Sequence, residues 1–224
     1  MTSKKKHSKP AVLYLSLLAV LLIIITLAFL NSNDTVTNTF TSGDVKIALT
    51  EPNYPGNDSP EVNDLVPYDT VKKDPKITNT GSNDAVVFLK VTVPMAKVTV
   101  ADKNGIKGSS VVQELFWLKN SFTDHEEPAA TFNDGWEKLE EFCISSDDSC
   151  TYVFGYKNIL PVGSSTNTLF DYVQLKNIID TSNIDTDIQN IKIEAFAIQS
   201  DYLKTDDSSD YLTIDQLDDI YRLI

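Results

Sequence analysis

Apolar residues run unbroken from Ala11 to Leu30, with only Ser16 and Thr26 plainly polar, and Lys4, Lys5, Lys6 and Lys9 stand just before them. Twenty such residues cross a hydrocarbon core of roughly 30 Å as a helix. The same run also fits the apolar region of a secretory signal, cut after Ala28 in Thr26-Leu27-Ala28 and leaving Phe29 as the new first residue. Cleaved signal and retained anchor both stay open. In either case the lysines remain on the cytoplasmic side, so the chain after Leu30 is exported.

Beyond the span the pattern changes from a run to an alternation. Asn31 to Ser42 is polar, rich in threonine and free of Pro and Gly, which suits an extended arm. Val45, Ile47 and Leu49 then alternate with Asp44, Lys46 and Ala48, the period of a half-buried strand. Glu51 to Asp64 is dense in Pro, Asn, Asp and Gly and predicts a loop. Two strands joined by a turn at Thr80-Gly81-Ser82-Asn83-Asp84 follow, the second with an inward stripe of Val87, Leu89, Val91 and Val93. Pro94 interrupts that stripe, and Val98 and Val100 resume it with opposite parity, as a bulge or edge break produces. Leu115 to Leu118 is apolar on both parities, so a strand covered on both sides is expected there. Asp124 to Gly135 reads as a loop, and Trp136 starts a short segment ending near Cys143. Tyr152, Phe154 and Tyr156 mark a strand stopped at Pro161-Val162-Gly163, and Val173 and Leu175 mark the next. The last strand sends Ile191, Ile193, Ala195 and Ala197 one way and Phe196 and Ile198 the other.

About eight strands without alternating helices predict an all-β fold, an antiparallel β-sandwich of jelly-roll type. One short C-terminal helix is expected as well. Thr213 and Gln216 have capping-box spacing, and Ile214, Leu217, Tyr221 and Ile224 recur at helical intervals. Folded back on the sandwich or docked on a neighbouring subunit, this helix follows the polar TDDSSD linker. The organisation is therefore signal or anchor over 1–28, arm over 29–42, sandwich over 43–200, and acidic linker with helix over 201–224.

Charge narrows the partners. The four lysines of the tip, taken from 19 basic residues, leave 15 against 32 acidic ones after residue 28, a formal charge of −17. That balance argues against nucleic acid and against anionic membrane surfaces, and favours solubility and sensitivity to divalent cations. Ten Phe, nine Tyr and two Trp supply a core, so the acidity is not that of a disordered tail. Cys143 and Cys150, in CISSDDSC, most simply form one short-loop disulfide in an exported chain, with a thiol pair for metal or redox work as the alternative.

Catalytic patterns find little support. His125, the single histidine after the span, begins His125-Glu126-Glu127-Pro128, but a zincin needs a second histidine one turn on, and Pro128 stands where that helix must continue. GxSxG and glycine-rich phosphate loops are absent. The adjacent carboxylates Glu140-Glu141 and Asp147-Asp148 read as solvated surface. A calcium site of loop Asp and Asn residues stays open without an EF-hand pattern to support it; otherwise no cofactor or metal site is expected.

Several blocks resemble exported proteins processed by the signal peptidase SipW, the TasA and camelysin (CalY) family, and most closely its BsaA-like biofilm matrix members in Gram-positive bacteria. The blocks are the basic tip and span with Ala28-Phe29, TNTFTSGDVKIALTEPN, LVPYDTVKKDPKITNTGSNDAVVFLKVTVP, YVFGYKNILPVGSSTNTLFDYVQL and IEAFAIQ. They cover most of residues 11–200 in order. The resemblance implies a jelly-roll subunit of extracellular matrix fibres, cut by SipW between Ala28 and Phe29. It also implies that the arm from about Phe29 to Thr41, including Val36 and Phe40, is donated as a strand to the next copy. Partners would be copies of itself and other matrix or cell-surface components. Camelysin brings the alternative of a surface metalloprotease, for which no zinc-ligand set is evident. A membrane-tethered extracellular binding domain is the third reading.

Overall fold

β4, Ala85–Ala101, carries most of the fold. The computed structural model describes residues 45–224 except 57–58, 64, 103, 122–129, 181–189, 202 and 204–210, and only the backbone of 60, 63 and 180. Both parities of β4 are apolar in its first half, which dictates burial of both faces. Val87, Leu89, Val91 and Val93 face one core, and Val86 and Phe88 face another. This half lies between β12 (Lys192–Gln199) and β9 (Ser149–Tyr156), antiparallel to each. The second half pairs with β5 (Lys107–Glu114) and β11 (Ile178–Asp180). Pro94 stands at the change of partners. The β12 ladder stops at Thr92, so the missing N–H of Pro94 costs no bond on that side. Val98 returns to the core of the odd-numbered valines, as the parity change in the sequence anticipates. β7 (Trp136–Lys138) and β8 (Ile144–Ser145) pair with successive parts of β9.

A second layer faces this sheet across the larger core. β1 (Ile47–Thr50) pairs with β3 (Lys76–Asn79), while β2 (Thr70–Lys72), β10 (Tyr172–Leu175) and β6 (Phe116–Lys119) form the rest. β2 and β3 are one segment interrupted at Lys73-Asp74-Pro75. Lys73 N–H to Asp171 O (3.1 Å), Leu169 N–H to Pro75 O (2.9 Å) and Thr166 N–H to Ile77 O (2.8 Å) span the gap, so these small sheets run on as one layer. A single helical turn, α1 (Pro60–Asn63), lies inside the expected loop. The fold is thus all-β and antiparallel, with one short C-terminal helix.

That helix, α2 (Ile214–Tyr221), has the expected capping box: Gln216 N–H donates to Thr213 Oγ1 and Thr213 N–H to Gln216 Oε1. Leu212 before the cap packs with Leu217 in the first turn, a hydrophobic staple. α2 folds back over the outer face of β4, β9 and β12. Leu217 and Ile220 are buried, and the Tyr221 ring lies 5.2 Å from Phe88 and 4.7 Å from Phe142. Ile214 and Ile224 stay exposed, contrary to their place in the expected stripe. The buried stripe is Leu217, Ile220 and Tyr221, because only one turn of the helix reaches the sheet. Ala28, Phe29, Val36, Phe40 and His125 lie outside the described residues, as does the span of 11–30. Among the described residues no helix is long and apolar enough to cross a membrane.

Two tests follow from this packing. A Cβ on Gly155 would meet Leu217 at 3.0 and 3.1 Å and Phe88 at 3.2 Å. Gly155→Val is expected to lower stability by about 1–3 kcal/mol and to speed amide exchange over α2 specifically. The second concerns Asp218, whose Oδ1 is buried without a hydrogen-bond partner. Burial, then Glu141, Asp215 and Asp219, push its carboxyl above the usual range, against the pull of Arg222. Its protonated form is the one the fold prefers. The contribution is complete below the ordinary aspartate pKa and is lost as pH rises through the folded value. Asp218→Asn should therefore stabilise the protein at neutral pH and remove the loss of stability that the parent shows as pH rises above the ordinary aspartate range, read in urea titrations.

Candidate functional site

β1 and β12, one from each layer, run side by side at one edge of the sandwich. These strands are neighbours, yet among the described residues no ladder joins them, and each pairs on one edge only. Between them opens a groove of about 820 Å³. Leu49 of β1 and Ile191 and Ile193 beside and within β12 form its lips, and Val71, Phe116 and Val173 of the opposite layer form its apolar floor. Alternation places these side chains here. The odd-numbered residues of both strands point inward, so each edge offers its backbone outward and its apolar face to the groove.

A polar corner fixes one end. Lys73, 8% exposed, places Nζ 2.9 and 3.0 Å from the two carboxylate oxygens of Glu51 and 4.2 Å from the centre of the Tyr54 ring. Burial, reinforced by Glu51, pushes the Tyr54 hydroxyl up in pKa. Asp74, 4% exposed, accepts from Asn53 N–H (3.0 Å) and Asn53 Nδ2 (2.7 Å). The Lys73-Asp74 pair thus staples the loop after β1 to the break between β2 and β3. Sequence reasoning missed this pair, since two charges in a lysine-rich run look like surface. The following Pro75, which forces a break, was the available signal.

Two turns fix the chain on either side of this corner. Asn79 is fully buried; its Nδ2 donates to Asn83 O and Leu160 O, both at 2.9 Å, and its Oδ1 accepts from Gly81 N–H at 3.0 Å. The Asn-Thr-Gly block is therefore an Asx turn anchored in the core. Val66-Pro67-Tyr68-Asp69 is a tight turn closed by Asp69 N–H to Val66 O at 2.9 Å, with Tyr68 at φ 71°. A glycine is the residue ordinarily favoured in that conformation.

Cys143 and Cys150 carry free thiols, which departs from the expected disulfide. Ser145 lies opposite Cys150 and Ile144 opposite Thr151, so Cys143 falls diagonally from Cys150. Diagonal neighbours are roughly 7–8 Å apart, beyond the Cα separation of about 4.4–6.8 Å that a disulfide accepts. The Cys143 thiol instead turns to Leu139 O at 3.4 Å, and burial pushes its pKa up. Nearby, Tyr152 donates to Glu114 Oε1 at 2.6 Å, and Lys176 sits 5.2 Å from the Trp117 ring with its pKa pushed down by burial. These contacts knit β5, β9 and the end of β10 together. Among the described residues no group of three or more His, Cys, Asp and Glu side chains is placed to hold a metal ion.

No family model, no curated protein and no solved structure matches this chain.

The polar corner yields a direct test. Lys73→Met strands the Glu51 carboxylate, which keeps 21% exposure, and should cost about 3 kcal/mol, the low end for a broken buried pair. Lys73→Met combined with Glu51→Leu should regain more than half of that loss, read as urea midpoints in a double-mutant cycle.

Proposed function

We propose that the chain is an exported, non-enzymatic structural subunit of extracellular matrix fibres whose copies join by strand donation. The groove between β1 and β12 carries this reading. Two strand edges without a ladder partner among the described residues flank a cleft with an apolar floor, and the arm of 29–42 precedes β1, one of its lips. An extended segment entering such a cleft adds backbone hydrogen bonds along an edge and buries alternate side chains. In this reading Phe29 to Thr41 of one copy enters the groove of the next, with Val36 and Phe40, which share parity, facing its floor. Contacts of this head-to-tail kind do not close and so propagate as filaments. Two antiparallel layers whose connections repeatedly pass from one to the other fit a jelly-roll sandwich. SipW would release the subunit between Ala28 and Phe29.

The formal charge of −17 after residue 28 opposes association at low ionic strength, so salt or calcium should speed assembly. The test compares three chains by light scattering and negative-stain microscopy: one beginning at Phe29, one lacking Phe29 to Thr41, and one beginning at Phe29 with Ile193→Lys in the groove. Fibres are expected from the first alone, with all three folded by circular dichroism. Monomers from the first under every salt, calcium and pH condition would contradict strand donation, and would favour a membrane-tethered binding domain. Zinc-dependent proteolysis by the first would point instead to the camelysin-like alternative.

A further inference from the structure

Among the described strands of four or more residues, β5 is the least covered. Lys107 to Val112 are all exposed, and among the described residues β5 pairs with β4 alone. Edge strands are ordinarily blunted by proline, charge or a covering element, because their outer N–H and C=O groups pair with any strand that arrives. Between Lys107 and Glu114, β5 reads Gly-Ser-Ser-Val-Val-Gln, with neither proline nor charge. Val111 is 48% and Val112 40% exposed, so apolar surface accompanies the open backbone.

Charge sits only at the two ends, and a bulge sets its direction. Ser110 lies opposite Thr99 and Lys107 opposite Ala101, so three steps along β5 match two along β4. The extra residue at Gly108-Ser109 brings Lys107 onto the same face as Ser110, Val112 and Glu114. We propose that β5 pairs antiparallel with β5 of a second copy about a two-fold axis at Val111. An axis normal to the sheet preserves faces, so opposed residues must share one. With Val111 opposite Val111, Ser110 meets Val112 and the bulge meets Gln113. Lys107 then lies opposite Glu114 at both ends, a pairing that the bulge alone makes possible. Within one copy Glu114 Oε1 accepts from Tyr152 across β4, so Oε2 is the oxygen offered to Lys107 of the second copy. This contact uses the free edge of β5 and not the β1–β12 groove, so it stands or falls apart from strand donation.

The full chain in non-ionic detergent is the material for the test, with association read by sedimentation velocity. Lys107→Glu alone and Glu114→Lys alone should each weaken self-association about tenfold, since like charges then face each other twice. An equimolar mixture of the two variants should regain the parent's affinity, because each charge again meets its opposite. Carbodiimide coupling of the parent should yield a Lys107–Glu114 amide between copies. Within one copy these residues are roughly 20 Å apart along the strand, too far to couple. A parent that stays monomeric would overturn the proposal. So would a Lys107→Glu chain that associates like the parent, or a mixture of folded variants that recovers nothing.

Discussion

Backbone hydrogen bonding along β4 is the constraint on which the rest depends. Seventeen consecutive residues must find partners for their N–H and C=O groups on both edges, and four strands supply them in two sets. β12 and β9 flank the first half, where apolar residues of both parities require cover on both faces. The second layer covers one face, and α2 covers the other. The change of partners falls at Pro94, the one residue of the strand with a single backbone group to satisfy.

Holding two layers around β4 leaves the problem of their edges. On the side of β7 and β8 the first sheet is extended by short strands. On the side of β12 it stops opposite β1 among the described residues, and the cleft between them is kept in shape by Lys73, Glu51, Tyr54, Asp74 and Asn53. Those five residues tie the loop after β1 to the broken strand beneath it, so the groove has a fixed end and an apolar floor. The proposed fibre contact and the proposed β5 pairing both use the same physical fact. An edge strand satisfies only half of its own backbone, and another strand can satisfy the remainder.

Much of this was legible in the sequence where burial is one-sided or where a local rule applies. The odd-numbered stripe from Val87 to Val93, the split of Ile191 to Ala197 from Phe196 and Ile198, and the Thr213–Gln216 cap all appear as read. β5 did not announce itself, because a strand exposed on both faces has no alternation to detect. Ile214 and Ile224 kept helical spacing without burial, since periodicity marks a face but not how far a sheet extends beneath it. Cys143 and Cys150 are close in sequence, yet the hairpin register sets them diagonally, which spacing alone does not reveal. The groove was the least legible feature. It arises from two edges, Ile47–Thr50 and Lys192–Gln199, far apart in the chain, and from buried charges that composition assigns to the surface.

The central claim is that the β1–β12 groove receives a strand from another copy. Residue-resolved hydrogen exchange on monomer and assembled fibre measures this most directly. Protection should rise by tenfold or more at outward-facing amides of Ile47–Thr50 or Lys192–Gln199, while interior amides of β4 stay as slow as before. Fibres in which both edges exchange as fast as in the monomer would contradict the account.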